Sequence, residues 1–299
     1  MKSKTILNPK FNLNAEEICG YKVSAKMKKV WAKELEMLEK FQEVCNKHNL
    51  KWFLIGGSLL GAIRHNGFIP WDDDIDIAMF RDDYKKLIKI APKEFTQPFF
   101  FQTPYTDKVY RGHAQLRYDG TTAILPEEIN RSHHQGIFID IFPFDEYPDT
   151  KHGWNKQAYQ VREIQCLYED YFNEYFPTET LKKEHIRAII IVKLFGFKNI
   201  YRRYERVCAR FNGRGNGRIG NLSLVYGSRV QEKVFFDKII MHPFEYLQVP
   251  IPADYDKLLK NKFGNYMEFV KGSSAHGKVI FDPDKPYQET LLKLRKELK

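Results

Sequence analysis

Residues 55–80, IGGSLLGAIRHNGFIPWDDDIDIAMF, constrain this chain more than any other stretch. An apolar run at 52–55 leads into Gly56, Gly57 and Ser58 and a short helical segment containing Arg64 and His65. The turn Asn66-Gly67 and Pro70 then bring in four aspartates, Asp72, Asp73, Asp74 and Asp76. Ile75, Ile77 and Ala78 read as a buried strand, and carboxylates set against a buried strand are unfavourable unless a cation or a proton neutralises them. A strand over 74–80 alternates its side chains, so Asp74 and Asp76 project to one face and Ile75 and Ile77 to the other. Two carboxylates so placed can reach one Mg²⁺. The plainer alternative makes 72–74 a solvated turn and Asp76 an edge residue; it accounts for Asp72 and Asp73 better than for Asp76.

Upstream, Ser58 can cap a helix beginning at Leu59, leaving the N–H groups of Gly57, Ser58 and Leu59 to hold a phosphate. A Gly-Gly-Ser turn also serves merely to reverse a strand into a helix. Over 24–48, Met27, Val30, Trp31, Leu35, Leu38, Phe41, Val44 and Cys45 recur at three and four, the spacing of a helix with one packed face. A strand at 51–55, a helix at 81–90 and strands at 99–102 and 113–118 follow. Arg117 ends the last of these, before Asp119-Gly120 and Thr121; it is either a phosphate clamp or a surface charge at a hairpin. In HHQGIFIDIFPFDEYP, residues 133–148, Ile137, Ile139 and Ile141 share one strand face and Phe138, Asp140 and Phe142 the other. Asp140 must therefore be paired, protonated or on a metal. It is the natural third member of the Asp74 and Asp76 site, or else the partner of a structural arginine. Asp145, past Pro143, reads as a turn residue, and His133 and His134 as solvent-facing.

The second half is less informative. A long aromatic helix is expected from 152 to 175, and residues 181–211 are helical and basic, with nine Lys or Arg against two Glu. Their run IRAIIIVKLFGF is shorter than the ~18 residues that span a bilayer. It suits an interfacial helix or a core helix with a solvated basic side. Short strands and turns are expected over 230–255, and a helix over 254–263 ended by Gly264. Net charge of +10 favours anionic partners. The basic residues gather in one helical region instead of alternating with stackable aromatics on a sheet, which argues against a nucleic-acid-binding module. Four scattered cysteines and an N-terminus without an apolar leader lead to the expectation of a reduced, cytoplasmic protein that meets the inner membrane face peripherally.

Three blocks in order resemble the LicD family of phosphotransferases, related to the fukutin and fukutin-related proteins. They are GGSLLGAIRHNGFIPWDDDIDIAMF, IDIFPFD, and VPIPADYDKLLKNKFGNYMEF followed by His276. The resemblance implies an α+β, nucleotidyltransferase-like fold, a mixed β-sheet core flanked by helices. It implies transfer of a phospho-alcohol, phosphocholine or an alditol phosphate, from a CDP-linked donor to a sugar hydroxyl of a glycan or glycolipid. By position Asp72, Asp74 and Asp76 match the family's metal-holding acids and Asp140 its later acid, while Arg117 and Thr121 resemble a basic-then-Thr pattern. The expected site thus has Mg²⁺ (or Mn²⁺) on Asp72, Asp74, Asp76 and Asp140, with Asp140 as a further ligand or the base. Gly57, Ser58, Arg64, Arg117, Thr121 and His276 face the donor. Expected organisation is an arm (1–24), a catalytic core (25–148), a helical insert (149–228) and a C-terminal part that completes the catalytic domain (229–299). The alternative chemistry is transfer of the NMP group itself to an alcohol or RNA end.

Overall fold

The computed structural model describes residues 11–173, 183–215, 217–224, 230–270, 272 and 278–297. After a short hairpin of β1 (Glu16–Ile18) and β2 (Tyr21–Val23), helix α1 (Ala25–Lys47) is capped by the Ser24 side chain, which accepts from the N–H of Met27 at 3.1 Å. It buries Val30, Trp31, Leu35, Leu38, Phe41, Val44 and Cys45, the stripe expected from the three-four spacing, against β6 and β8. There follow β3 (Phe53–Leu54), α2 (Gly56–His65), β4 (Asp76–Phe80), α3 (Arg81–Glu94), β5 (Phe99–Gln102), β6 (Ala114–Tyr118), β7 (Thr122–Ile124) and β8 (Phe138–Glu146). Asn66 closes α2 in the left-handed region, with its N–H on the carbonyl of Ala62.

The central sheet is mixed, as an α+β class requires. β3 pairs antiparallel with β4, β4 parallel with β8, and β8 antiparallel with β6 along one half and with β9 (Arg218–Gly220) at its end. β5 and β10 (Gln231–Glu232) extend the sheet beyond β6 and β9. β8 is buried along its whole length, and its Ile139 and Ile141 join Ile75, Ile77 and Phe53 in the main hydrophobic core. The strand continues past Pro143, so Asp145 is not a turn residue. It is 1 % exposed and takes a bidentate contact from the equally buried Arg81 at the start of α3. Arg81 also reaches Glu205, and the Asn212 amide donates to Asp145 at 2.8 Å. The structural Asp–Arg pair considered for Asp140 is thus built near the far end of β8, at Asp145.

The basic region is two helices: Gly196, with φ +79°, separates α5 (Lys183–Phe195) from α6 (Phe197–Cys208). Both pack on α4 (Lys151–Asn173) around Tyr168, Tyr201 and Tyr204, a second hydrophobic cluster apart from the main core. The chain ends with the hairpin β11 (Ile239–Phe244) and β12 (Leu247–Pro252), then α7 (Tyr255–Phe263), β13 (Ile280–Asp282) paired with β7, and α8 (Tyr287–Glu297). No helix among the described residues is long and apolar enough to cross a membrane.

Candidate active site

The parallel register of β4 and β8 sets Asp76 opposite Asp140 and Ile77 opposite Ile141. Opposed residues of paired strands share a face, so both acids leave the side away from the isoleucines. Asp74 lies just before β4 and not inside it, yet the Asp140 N–H donates to the Ile75 carbonyl at 2.9 Å and carries the pairing back to the residue next to Asp74. One carboxylate oxygen from each of Asp74, Asp76 and Asp140 lies within 4.8 Å of the others. Asp72, Asp73 and Asp74 form a second such group that shares Asp74. Asp73 is buried and part of this group, so it is more than a solvated turn. Burial, then the charges of Asp76, Asp72, Asp140 and Asp73, hold the Asp74 carboxyl well above the ordinary aspartate range. Oxygen donors at this spacing and this mutual repulsion fit a hard divalent cation.

The two glycines make the crowding possible. A Cβ on Gly56 would stand 2.7 Å from Asp76 Oδ2, and one on Gly57 would stand 2.6 Å from Asp72 Oδ2. Gly56 also has φ +62°, where a side chain is strained. Ser58 does not cap α2, which starts two residues earlier with Ile55 as its cap. Its buried hydroxyl instead accepts from the N–H of Asp76 at 2.8 Å and fixes β4 to the helix. The Leu59 N–H is spent on the Ile55 carbonyl, so the donors at the helix start are those of Gly56, Gly57 and Ser58. The carboxylates of Asp76 and Asp72 lie beside Gly56 and Gly57 at this helix start, a placement that suits the helix dipole. A phosphate would come there together with a cation.

Asp140 is held by two side chains that the sequence reading passed over. Gln115 Nε2 donates to its Oδ1 at 2.7 Å, and His113 Nε2 lies 3.1 Å from the same oxygen. Burial pushes the Asp140 carboxyl up; His113, the Gln115 hydrogen bond and the charge of Arg111 outweigh it, and the net direction is down. Asp140 is thus poised as a carboxylate while Asp74 resists ionisation.

Arg117 is neither a phosphate clamp nor a surface charge. It is 1 % exposed and donates to Gln102 Oε1 at 2.6 Å, to the Gly136 carbonyl at 2.8 Å and to Gln115 Oε1. Burial and the nearby Arg111 bring its guanidinium down to about 9. Its link to the site is indirect: it orients Gln115, which holds Asp140. Thr121 is also structural, donating to the Tyr118 carbonyl and accepting from the Ile137 N–H. Arg64 donates to the carbonyls of Tyr266 and Glu268, closing α2 onto the segment after α7 instead of reaching the acids. His133 and His134 are buried, paired with Glu128 and Asp119. His276 lies outside the described residues.

One further acid was missed. Glu34 of α1 is fully buried, neither of its oxygens finds a hydrogen-bond partner, and burial with the charges of Asp73, Asp72 and Asp140 raises it strongly. Its position was readable: it falls between Trp31 and Leu38 on the packed stripe. From the same helix the Trp31 indole donates to the Asp72 carbonyl at 3.0 Å and stacks on Phe68, supporting the acidic loop from below.

Comparison with known proteins bears out the family resemblance. Residues 49–188 match the model of the LicD/FKTN/FKRP nucleotidyltransferase domain. Over 253 residues, 81 % of this chain and 93 % of the relative, the sequence is 27 % identical to the lipopolysaccharide cholinephosphotransferase LicD of Haemophilus influenzae. An uncharacterized protein of Rickettsia prowazekii, RP689, is 29 % identical over 46 % of this chain and 47 % of its own length. A 34-residue stretch, 11 % of this chain and 7 % of the relative, is 50 % identical to the human ribitol 5-phosphate transferase FKRP.

Proposed function

We propose, on the premise that residues 49–188 form a LicD-type nucleotidyltransferase domain, that this chain transfers a phospho-alcohol to a hydroxyl of a glycan or glycolipid. The donor on this reading is a CDP-linked alcohol, carrying phosphocholine or an alditol phosphate. The observation that carries it is the meeting of Asp74, Asp76 and Asp140 on one sheet face at the start of α2.

Asp74, Asp76 and Asp140, with Asp72 beside them, would hold Mg²⁺ or Mn²⁺, which when bound neutralises the donor's diphosphate and the charge that develops at phosphorus. The chain's own groups do the rest. Helix α2 presents its first N–H groups to a phosphate oxygen. His113 and Gln115 occupy Asp140 Oδ1 and fix the plane of that carboxylate, which leaves Oδ2 for the acceptor's proton or for the cation. The acceptor oxygen attacks phosphorus, the bond to the CMP oxygen breaks, and the hydroxyl proton passes to the carboxylate.

Asp76→Ala is expected to abolish CMP release from CDP-alcohols while the circular dichroism spectrum stays unchanged; near-normal turnover would sink the assignment. Release of pyrophosphate from a nucleoside triphosphate, in place of CMP, would favour nucleotidyl transfer. The acceptor suggests a place for α5 too. Its exposed Ile186, Ile190 and Leu194 form a stripe bordered by Lys183, Arg187 and Lys193, suited to peripheral contact with an anionic membrane.

A further inference from the structure

Residues 109–113, between β5 and β6, belong to no helix or strand, yet they end in His113, which reaches Asp140. A segment outside the ladders keeps its place only through the contacts its residues make. Here those contacts alternate between two bodies. Arg111 and His113 hold to the catalytic core: Arg111 Nη2 donates to both oxygens of Glu128, at 2.8 and 3.0 Å, and the His113 ring packs on Phe142 with centroids 4.3 Å apart. Tyr110 and Gly112 hold to the second hydrophobic cluster. Tyr110 stacks on Tyr168 of α4 at 4.5 Å and lies edge-on to Tyr204 of α6 at 5.8 Å. Gly112 makes the closest approach: a Cβ there would stand 1.9 Å from Ser223 Cβ, 2.7 Å from Ser223 Oγ and 2.6 Å from Tyr204 Oη. Gly112 does not lie in the left-handed region, so what this position requires is room.

The wall that Gly112 meets is itself pinned. Ser223 sits in a short 3-10 turn, Leu222–Leu224, and its N–H and hydroxyl donate to Asn221 Oδ1 at 2.9 and 2.8 Å. Its carbonyl accepts from Gln165 Nε2 of α4 at 2.8 Å. Leu222 and Tyr204 are each 1 % exposed. In an interior packed this closely neither side of the contact yields cheaply. We propose that Ser223 and Tyr204, pressed on Gly112 and braced by Gln165, are positioning residues that hold His113 against Asp140, an inference that rests on Asp140 acting in the transfer argued above. The coupling runs through packed atoms: α4 to the turn, the turn to Gly112, and Gly112 to the adjoining His113. Helices α4 and α6 thus form the back wall of the site. A platform that served the acceptor alone would have no need to press on the loop that holds Asp140.

The test is a cycle on the full chain, with Gly112→Ala made in the wild type and in a Ser223→Gly/Tyr204→Phe background that removes all three clashing atoms. CMP release from CDP-alcohols is followed at saturating Mg²⁺. In the wild type the alanine is expected to lower kcat on the order of 100-fold, the effect of a misplacement of about 1 Å, with the donor KM within about twofold. In the relieved background the same alanine should cost less than about fivefold. Gln165→Met, which only loosens the turn, should lower kcat by about fivefold, the value of one net hydrogen bond, and it serves where Gly112→Ala does not fold. A second readout needs no turnover: the His113 ring resonances, assigned by their loss in His113→Gln, should shift in Gly112→Ala and return in the relieved background. A full kcat in both Gly112→Ala and Gln165→Met, or an alanine cost as large in the relieved background as in the wild type, overturns the proposal. If the wild type turns over CDP-alcohols and these variants leave kcat and the resonances in place, the coupling falls and the reaction stands. If the resonances move and return but no CDP-alcohol is turned over, the reaction falls and the coupling stands.

Discussion

Gly57 has its would-be side-chain position filled by the Asp72 carboxylate. Gly57→Ala would displace Asp72 without touching the core, and displacements of about 1 Å at a phosphoryl-transfer centre cost on the order of 100-fold in rate. A loss of that size in CMP release, with an unaltered melting temperature, is the expected outcome; an active variant would remove Asp72 from the site. The glycines, Asp74, Asp76 and Asp140 could be read from the sequence because strand alternation fixes which residues share a face. What alternation does not give is the partner across the sheet. His113, Gln115 and Arg117 also alternate with Ala114 and Leu116, a legible pattern, but only the antiparallel pairing of Gln115 with Asp140 turns it into a cradle. Arg117 was misread for the same reason: a strand end looks like the surface until its neighbours are known.

Among the elements, the junction of α3 with β8 depends on the Arg81 and Asp145 pair, both essentially removed from solvent. Removing one partner leaves an uncompensated buried charge, so Arg81→Met should cost about 3–5 kcal/mol in urea unfolding. A cost below about 1 kcal/mol would mean the pair is not holding α3, β8 and α6 together. Helix α5 makes a different demand. Its His185, Ala188 and Val192 face the neighbouring helices, and its opposite face is apolar in the middle and cationic at the borders. The chain should sediment with vesicles containing anionic lipid at low salt, and Ile190→Glu should abolish this; binding unaffected by Ile190→Glu would place the contact elsewhere. In the sequence this helix merged with α6, because the left-handed turn at Gly196 leaves the basic composition unbroken on either side.

For the molecule as a whole, the acidic cluster is a liability that a cation would relieve. Asp74 and Glu34 are both raised by burial and by neighbouring carboxylates. An acid whose folded value is raised binds more protons folded than unfolded, so its contribution to stability declines as pH climbs above its unfolded value of about 4. Mg²⁺ has no purchase on protonated acids, so the rise in melting temperature from EDTA to Mg²⁺ should be small at pH 5 and grow by pH 8. An equal shift at both pH values, or none, would count against a cation at these residues. The strands and helices of the first half were legible in its apolar periods, whereas the α+β class came with the family resemblance. The second hydrophobic cluster was not, since its tyrosines only reveal a shared interior once α4, α5 and α6 are packed.

The parallel pairing of β4 with β8 also bears on the order of assembly. Asp76 and Asp140 become neighbours only after the intervening chain, with α3, β5, β6 and β7, has been laid down between them. A parallel pairing across so long a connection carries its loop-closure entropy before its contacts are made, which places it among the slower events of folding. During synthesis or refolding, the carboxylates on β4 would therefore wait for their opposite number. The competence to hold a cation would arrive together with the finished sheet, a built-in marker that the pairing of β4 with β8 has reached its native topology.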